Sequence, residues 1–381
     1  MQDRIGTTHT QSLEGIAALI DRPLQLSEHV LAPNRLQLAP MTNRLSHTGG
    51  VISDDDIDWF RSRGEAGFGT IVTGGFSVSP EGQLHIDQPR ADDDRFIDGI
   101  RRLALARHPG TVLLAQLLHG GLRVNYWQER TTTPVGPSAG PGVRELKGAE
   151  IEGLLDAYVA AAARTIGAGF DGVDVHAAHG YLPAQFLSST ENQRTDRWGG
   201  SFTNRARFTL ELIARLRAEL PASTVIQLRL SAEDMRQSRG IDLDEAAELS
   251  RLGAEAGADT ISLSVWDIHQ PAQKYSHTTP VEHVKSRLGD VAPLIIAGKI
   301  WSAEDAQLGF AQGADQLAIG RAAIFNRDAP SILRTPGREP QRPPVPPSAL
   351  PAEGVASPFI AHLLNRWRPL FTSDEEQPLS R

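Results

Sequence analysis

The sequence predicts an α/β fold, a (β/α)8 TIM barrel with long loops after strands three and four and a Pro-rich C-terminal extension. Three observations predict it. One segment recurs four times, as Glu65-Ala-Gly-Phe-Gly-Thr-Ile-Val, Ala168-Gly-Phe-Asp-Gly-Val-Asp-Val, Ala256-Gly-Ala-Asp-Thr-Ile-Ser-Leu and Gln312-Gly-Ala-Asp-Gln-Leu-Ala-Ile. Each copy has a Gly that suits a helix end, a small or apolar residue, then a strand. Between the copies stand strands with a different entry, His108-Pro-Gly-Thr-Val-Leu, Leu220-Pro-Ala-Ser-Thr-Val and Ala292-Pro-Leu-Ile-Ile. With a first strand at Leu36–Met41 the total is eight, separated by helical patterns, and eight parallel strands close a barrel. A doubly wound open sheet is the alternative, but it usually has fewer strands, and the Gly-rich first turn it often carries is absent.

In chain order, residues 1–30 read as a lead-in with a short amphipathic segment around Leu13–Ile20. The barrel domain is expected over residues 31–335. Its first helix, about Ser53–Glu65, opens with Asp54, Asp55 and Asp56, where the helix dipole favours acids. Later helices are expected near 92–107, 147–167, 203–219, 242–256, 280–288, 302–311 and 322–328. The excess over a typical barrel lies in the loops 118–146 and 176–201, the kind of βα loops that carry active sites. Residues 336–381 form a tail, with an extended linker over Pro336–Pro351 and a short helix over Pro358–Arg368. That helix is expected to pack on the barrel or on a second subunit of a homo-oligomer.

Composition narrows the function. The chain has 381 residues, 40% hydrophobic and 22% charged, the balance of a soluble globular protein. A formal charge of −8 without a basic cluster argues against nucleic acid or an anionic membrane as partner. No signal pattern or membrane-length apolar run is present, so a cytoplasmic location is expected. The absence of cysteine excludes disulfides, thiolate zinc sites, Cys-held iron–sulfur clusters and a Cys nucleophile. Redox chemistry would belong to a bound organic cofactor.

The chemistry concentrates in Val173–Phe208. Val173 and Val175 alternate with Asp174 and His176, so each pair takes its own face of a strand. A loop with His176, His179 and Tyr181 follows, and Ser201 is placed to cap the helix beyond. The histidines fit three roles: core residues bonded to carbonyls, metal ligands, or donors to a substrate oxygen that turns negative. Thr42, Gly75, Gln116, His119, His176, Arg229, Gly298-Lys299 and Gly320-Arg321 all fall at or just after strand ends, which places them at the catalytic mouth. Gly298, Gly320 and Arg321 suit a phosphate after strands seven and eight. A phosphate-bearing cofactor here is FMN or pyridoxal phosphate. The latter needs a Schiff-base lysine, for which Lys299 is the strand-end candidate, though its place suits a charge contact better.

The motifs resemble those of the Old Yellow Enzyme family, the FMN-dependent ene-reductases, over about Ala32–Pro330. They are Asn34-Arg-Leu-Gln-Leu-Ala-Pro-Met-Thr42, Gln116-Leu-Leu-His119, His176-Ala-Ala-His-Gly-Tyr181, and Asn192-Gln-Arg-Thr-Asp-Arg-Trp-Gly-Gly-Ser201 with Asn204-Arg205. The resemblance implies that Pro40, Met41, Thr42 and Gly75 line the flavin and that Gln116 bonds its pyrimidine side. It implies that Arg229 stabilises the reduced flavin and that Gly298, Gly320 and Arg321 hold the phosphate. His176 and His179 would grip a substrate carbonyl, and Tyr181 would give a proton. NADH or NADPH would be the reductant and a small activated alkene the substrate. Thr42 stands where one subgroup has a Cys, and His119-Gly-Gly-Leu departs from the frequent His-Ala-Gly-Arg. Without cysteine, and with about 50 residues after the barrel, the chain is expected to have neither the iron–sulfur cluster nor the second domain of larger relatives. Two rivals remain: a metal-dependent hydrolase or lyase using His85, His119, His176 and His179, and a non-catalytic flavin-binding barrel.

Overall fold

The computed structural model describes residues 15–125, 129, 132–234 and 239–372. Eight parallel strands form the barrel: β1 (Leu36–Leu38), β2 (Thr70–Val72), β3 (Val112–Leu118), β4 (Gly172–Ala177), β5 (Val225–Ser231), β6 (Thr260–Ser264), β7 (Leu294–Ala297) and β8 (Gln316–Ile319). Each pairs with the next, β8 pairs with β1, and the sheet closes. The first seven strands are followed by α1 (Asp54–Glu65), α2 (Ile97–Leu105), α3 (Gly148–Gly167), α4 (Phe202–Glu219), α5 (Leu243–Glu255), α6 (Pro280–Leu288) and α7 (Ala303–Ala311). This is the expected TIM barrel. No helix of the described residues is long and apolar enough to cross a membrane.

The fourfold repeat has a common backbone cause. Gly67, Gly169, Gly257 and Gly313 all take positive φ, at 103°, 108°, 117° and 101°. In each copy the following amide reaches back five residues, as Phe68 N to Arg63 O and Phe170 N to Thr165 O, and likewise Ala258 to Gly253 and Ala314 to Gly309. These are helix stops of the Schellman kind, and each throws the chain straight into an even-numbered strand. Helix starts are equally local. Ser53 and Asp56 form a reciprocal capping box on α1, and Ser201 accepts the amide of Asn204 on α4, as its sequence position predicts.

Four of the departures from expectation shape the ends of the barrel and its tail. β1 ends at Leu38, because Ala39 N still bonds Ile319 O but Pro40 has no N–H to continue the ladder. The helix expected at 322–328 splits into Arg321–Phe325 and Ala329–Arg334. Asn326, with its side chain on the Ala322 carbonyl, leaves the helix in extended geometry. Within the lead-in, a helix at Ile16–Ile20 precedes a β-hairpin, Leu24–Ser27 with Val30–Ala32, that the sequence reading does not contain. The Pro-rich linker ends in a 3₁₀ helix at Pro347–Glu353 instead of staying extended.

The hairpin closes the N-terminal end of the barrel, where Leu24, Leu26 and Ala32 pack with Val72, Val112, Leu114 and Val225. The tail returns to the opposite end as the helix Ser357–Arg366. Arg63 anchors it: its guanidinium lies 3.7 Å over Trp59 and donates to the carbonyls of Ala323 and Glu353. Phe359 stacks edge-on against Trp59 at 5.2 Å.

Candidate active site

Register aligns the polar residues of the barrel interior in rows. Gln116 of β3 lies opposite Asp174 of β4, which lies opposite Gln227 of β5 and so Thr260 of β6. Two residues higher, His176, Arg229 and Ser262 form the next row, and Ser231 and Ser264 the one above. Parallel strands keep partners on one face, so every one of these side chains points inward while Val173 and Val175 point into the apolar layer under the helices. A slip of one residue in β4 would reverse that.

These rows floor a cavity of about 510 Å³ at the C-terminal mouth, contiguous with a smaller one of about 90 Å³. Pro40, Met41, Thr42, Leu84, His179 and Tyr181 line both. The large cavity also takes in Arg229, Gly298, Gly320 and Arg321, and the small one Gly75, Gln116 and His176. Every residue that the resemblance assigns to flavin or substrate lines one or both of these cavities, whereas His119, which the sequence also puts at the mouth, is buried and lines neither.

Among the described residues, the three non-glycine positions with positive φ, Arg44 (56°), His179 (58°) and Lys299 (56°), all line these cavities. Backbone strain gathers at these cavities. His179 is held there by its own amide donating to Ser231 Oγ at 2.9 Å, and its Nε2 shares a 2.8 Å hydrogen bond with Ser264 Oγ. Its ring stands edge-on to His176, with centroids 5.0 Å apart, and His176 lies 5.0 Å from Tyr181. Tyr181 is fixed as the N-cap of the helix Leu182–Leu187.

Electrostatics set the protonation states. Burial, and then the charge of Arg229, push His179 down to about 3. Burial also holds His176 well below the usual imidazole range, with His179 and Arg229 adding to it. Both rings are neutral donors at neutral pH. The Nδ1 of His176 has no hydrogen-bond partner among the described residues. Arg229 is buried, donates to Ser262 Oγ at 3.0 Å, and also has a partnerless Nε.

The metal reading does not fit this geometry. Among the described residues no three His, Cys, Asp or Glu side chains come together as ligands. His119 turns its Nδ1 to the amide of Gly121 at 3.0 Å, and His85 turns its own to Asp87 at 2.5 Å. Pyridoxal phosphate fits no better, because Lys299 Nζ sits at the rim in a 2.8 Å salt bridge with Asp267.

A flavin mononucleotide does fit. The buried, partnerless Arg229 Nε suits the carbonyl-rich edge of an isoalloxazine ring. A Cβ added to Gly320 would meet nothing closer than 3.7 Å, so that backbone opens onto the cavity beside Arg321. Gly298 and Gly75 have a different reason to be glycine: a Cβ there would strike Val265 at 2.5 Å and Leu118 at 2.8 Å.

Sequence reading missed part of the site. Ser264 and Trp266 follow from β6, whose end carries no unusual motif. His362, Leu363 and Arg366 of the tail helix, with Trp367 at its C-cap, form the outer wall of the large cavity. The apolar pattern Ile360, Leu363, Leu364 identifies a packing helix but not what it covers.

Comparison with known proteins agrees. Residues 20–336 match the model of the NADH:flavin oxidoreductase / NADH oxidase family. A probable NADH-dependent flavin oxidoreductase, YqiG, of Bacillus subtilis (strain 168) is 32% identical over 316 residues, 80% of this chain and 84% of the relative. The NADH oxidase of Thermoanaerobacter brockii is 33% identical over 313 residues, 78% of this chain but 48% of its own length, so the chain spans about half of that relative. The old yellow enzyme homologue of Zymomonas mobilis superposes with a TM-score of 0.72 at 25% identity, covering 82% of this chain and 91% of that one. The chain belongs to the NADH:flavin oxidoreductase / NADH oxidase family, as an FMN-type, nicotinamide-dependent oxidoreductase of the Old Yellow Enzyme group.

Proposed function

We propose that the chain reduces the C=C bond of α,β-unsaturated carbonyl or nitro compounds, with NADH or NADPH as reductant. The observation that carries the reading is the neutral, partly unpartnered histidine pair beside Tyr181, at the mouth of a cavity that suits FMN. When bound, FMN supplies the hydride. His176 and His179 donate to the substrate's carbonyl oxygen as negative charge gathers there; a neutral imidazole offers an N–H without presenting a fixed charge before the reaction. Arg229, Gln116, Thr42, Met41 and Pro40 would hold the flavin ring, and Arg321 would hold its phosphate. Tyr181 holds its phenolic proton toward the α-carbon. The nicotinamide donor and the alkene use the same mouth in turn.

Tyr181→Phe tests the assignment. Reduction by NAD(P)H needs no proton at the α-carbon, so that half-reaction should stay nearly intact, while alkene reduction slows by about 10²–10⁴-fold. Nitroalkenes should still be consumed, releasing a nitronate stable enough to leave unprotonated. Stopped-flow measurement of each half-reaction decides: equal slowing of both, or of neither, removes Tyr181 from the mechanism.

A further inference from the structure

We infer that Asp174 is a positioning residue that fixes the Gln116 amide so that its carbonyl oxygen, not its NH2, faces the cofactor cavity. The inference rests on the FMN reading and adds a residue to it. Asp174 is fully buried in β4, one row below His176 and Arg229. It receives two amides: Gln116 Nε2 at 2.7 Å on one oxygen and Gln227 Nε2 at 2.8 Å on the other. Gln227 in turn accepts at Oε1 from Thr260 Oγ1 at 3.4 Å.

The direction of this chain follows from valence. An ionised carboxylate only accepts, so both glutamines must present nitrogen to it. Gln116 lines the smaller cavity, and with its Nε2 committed, Oε1 is the atom left for a ligand. Burial raises the pKa of Asp174, while the nearby Arg229 charge and the two amide donors act in the opposite direction. In return Asp174 is the acidic group that favours the charged form of Arg229 in a site whose burial disfavours it.

The cavity floor therefore offers an acceptor, Gln116 Oε1, beside a donor-only group, Arg229. That pattern reads an imide edge, with an N–H for the acceptor and carbonyl oxygen for the donor. An isoalloxazine ring carries such an edge. If the amide were free to turn, Gln116 would offer a second donor and lose its preference for an N–H.

The experiment titrates apoprotein with FMN and with N3-methyl-FMN, read by quenching of flavin fluorescence. The wild type should prefer FMN by a factor on the order of ten or more, the usual size of one lost hydrogen bond together with crowding. Asp174→Leu keeps the shape but removes the acceptor. It should bring that preference down severalfold, and Asp174→Glu, which keeps an acceptor-only group, should restore it. Crowding by the methyl group is common to all variants, so the change in ratio reads the orientation of the amide. If Asp174→Leu does not fold, Asp174→Ser takes its place with the same expectation. An unchanged ratio in the folded variant overturns the inference and leaves FMN binding standing. Absence of FMN binding by the wild type overturns the FMN reading and this inference with it.

Discussion

At its N-terminal end the barrel interior is filled by Val72, Val112, Leu114 and Val225, sealed by Leu24 and Leu26 of the hairpin. At its C-terminal end Asp174, His176 and Arg229 are just as inaccessible to water, yet they are polar or charged. The first arrangement stabilises the fold, since burying a Leu side chain contributes about 1.5–3 kcal/mol. The second costs stability, because the Nδ1 of His176 and the Nε of Arg229 lack partners, and each such group costs about 1–3 kcal/mol. The difference teaches how the molecule divides its work. One end provides the stability, and the other spends part of it holding groups ready for a ligand.

The contrast can be broken most sharply at the apolar end. Leu114→Ala should lower the unfolding free energy by about 2–5 kcal/mol through a cavity beneath the hairpin. Denaturant melts would measure this, while the folded fraction should bind flavin as the wild type does. Impaired binding at equal folding would mean that the two ends are coupled.

At the polar end Arg321→Ala should do the reverse. Loss of a charge-assisted phosphate contact weakens FMN retention by about 1.5–3 kcal/mol and leaves apoprotein stability close to that of the wild type. Flavin kept in full through dialysis would remove Arg321 as the phosphate clamp.

Acid sharpens the comparison, since His119, His176 and His179 all stand at or just after the C-terminal ends of β3 and β4. His119 and His179 are both pushed down to about 3 by burial, and His176 lies well below its ordinary value. As pH falls below about 6.5 the unfolded chain takes up protons that the native state refuses, so stability is lost down toward pH 3. Each histidine contributes at most about 1.4 kcal/mol per pH unit. His119→Asn keeps an acceptor for the Gly121 amide but does not titrate, so its melting temperature should fall less steeply between pH 6.5 and 4. An unchanged slope would mean that His119 protonates freely in the native state.

The smallest effect is a gain. His176→Leu removes a buried nitrogen without a partner and should raise apoprotein stability by about 1 kcal/mol. The variant should at the same time lose affinity for phenols, whose phenolate would sit at the histidine pair and give a long-wavelength charge-transfer band. A band of wild-type strength would show that His176 is not part of the oxygen site.

By itself the sequence determined whatever depends on a few neighbouring residues. The four Gly stops at Gly67, Gly169, Gly257 and Gly313, the caps at Ser53 and Ser201, and the alternation of Asp174 and His176 with valines are local. They suffice for eight strands, their helices and the end of the barrel that carries the polar residues. The resemblance to the family then suggests roles for most of the residues that line the cavities. Tertiary structure alone decided the rest. Strand register places Asp174 between Gln116 and Gln227, residues 58 and 53 positions away in sequence. The strained backbone of His179 depends on Ser231, 52 residues on. The hairpin is too short and too ordinary in its turn, Glu28-His29, to announce itself. The wall of Leu363, Arg366 and Trp367 reaches the cavity only because Arg63 and Trp59 anchor the returning tail. Such contacts join residues that share no local pattern, and which partners meet is settled only when the barrel closes.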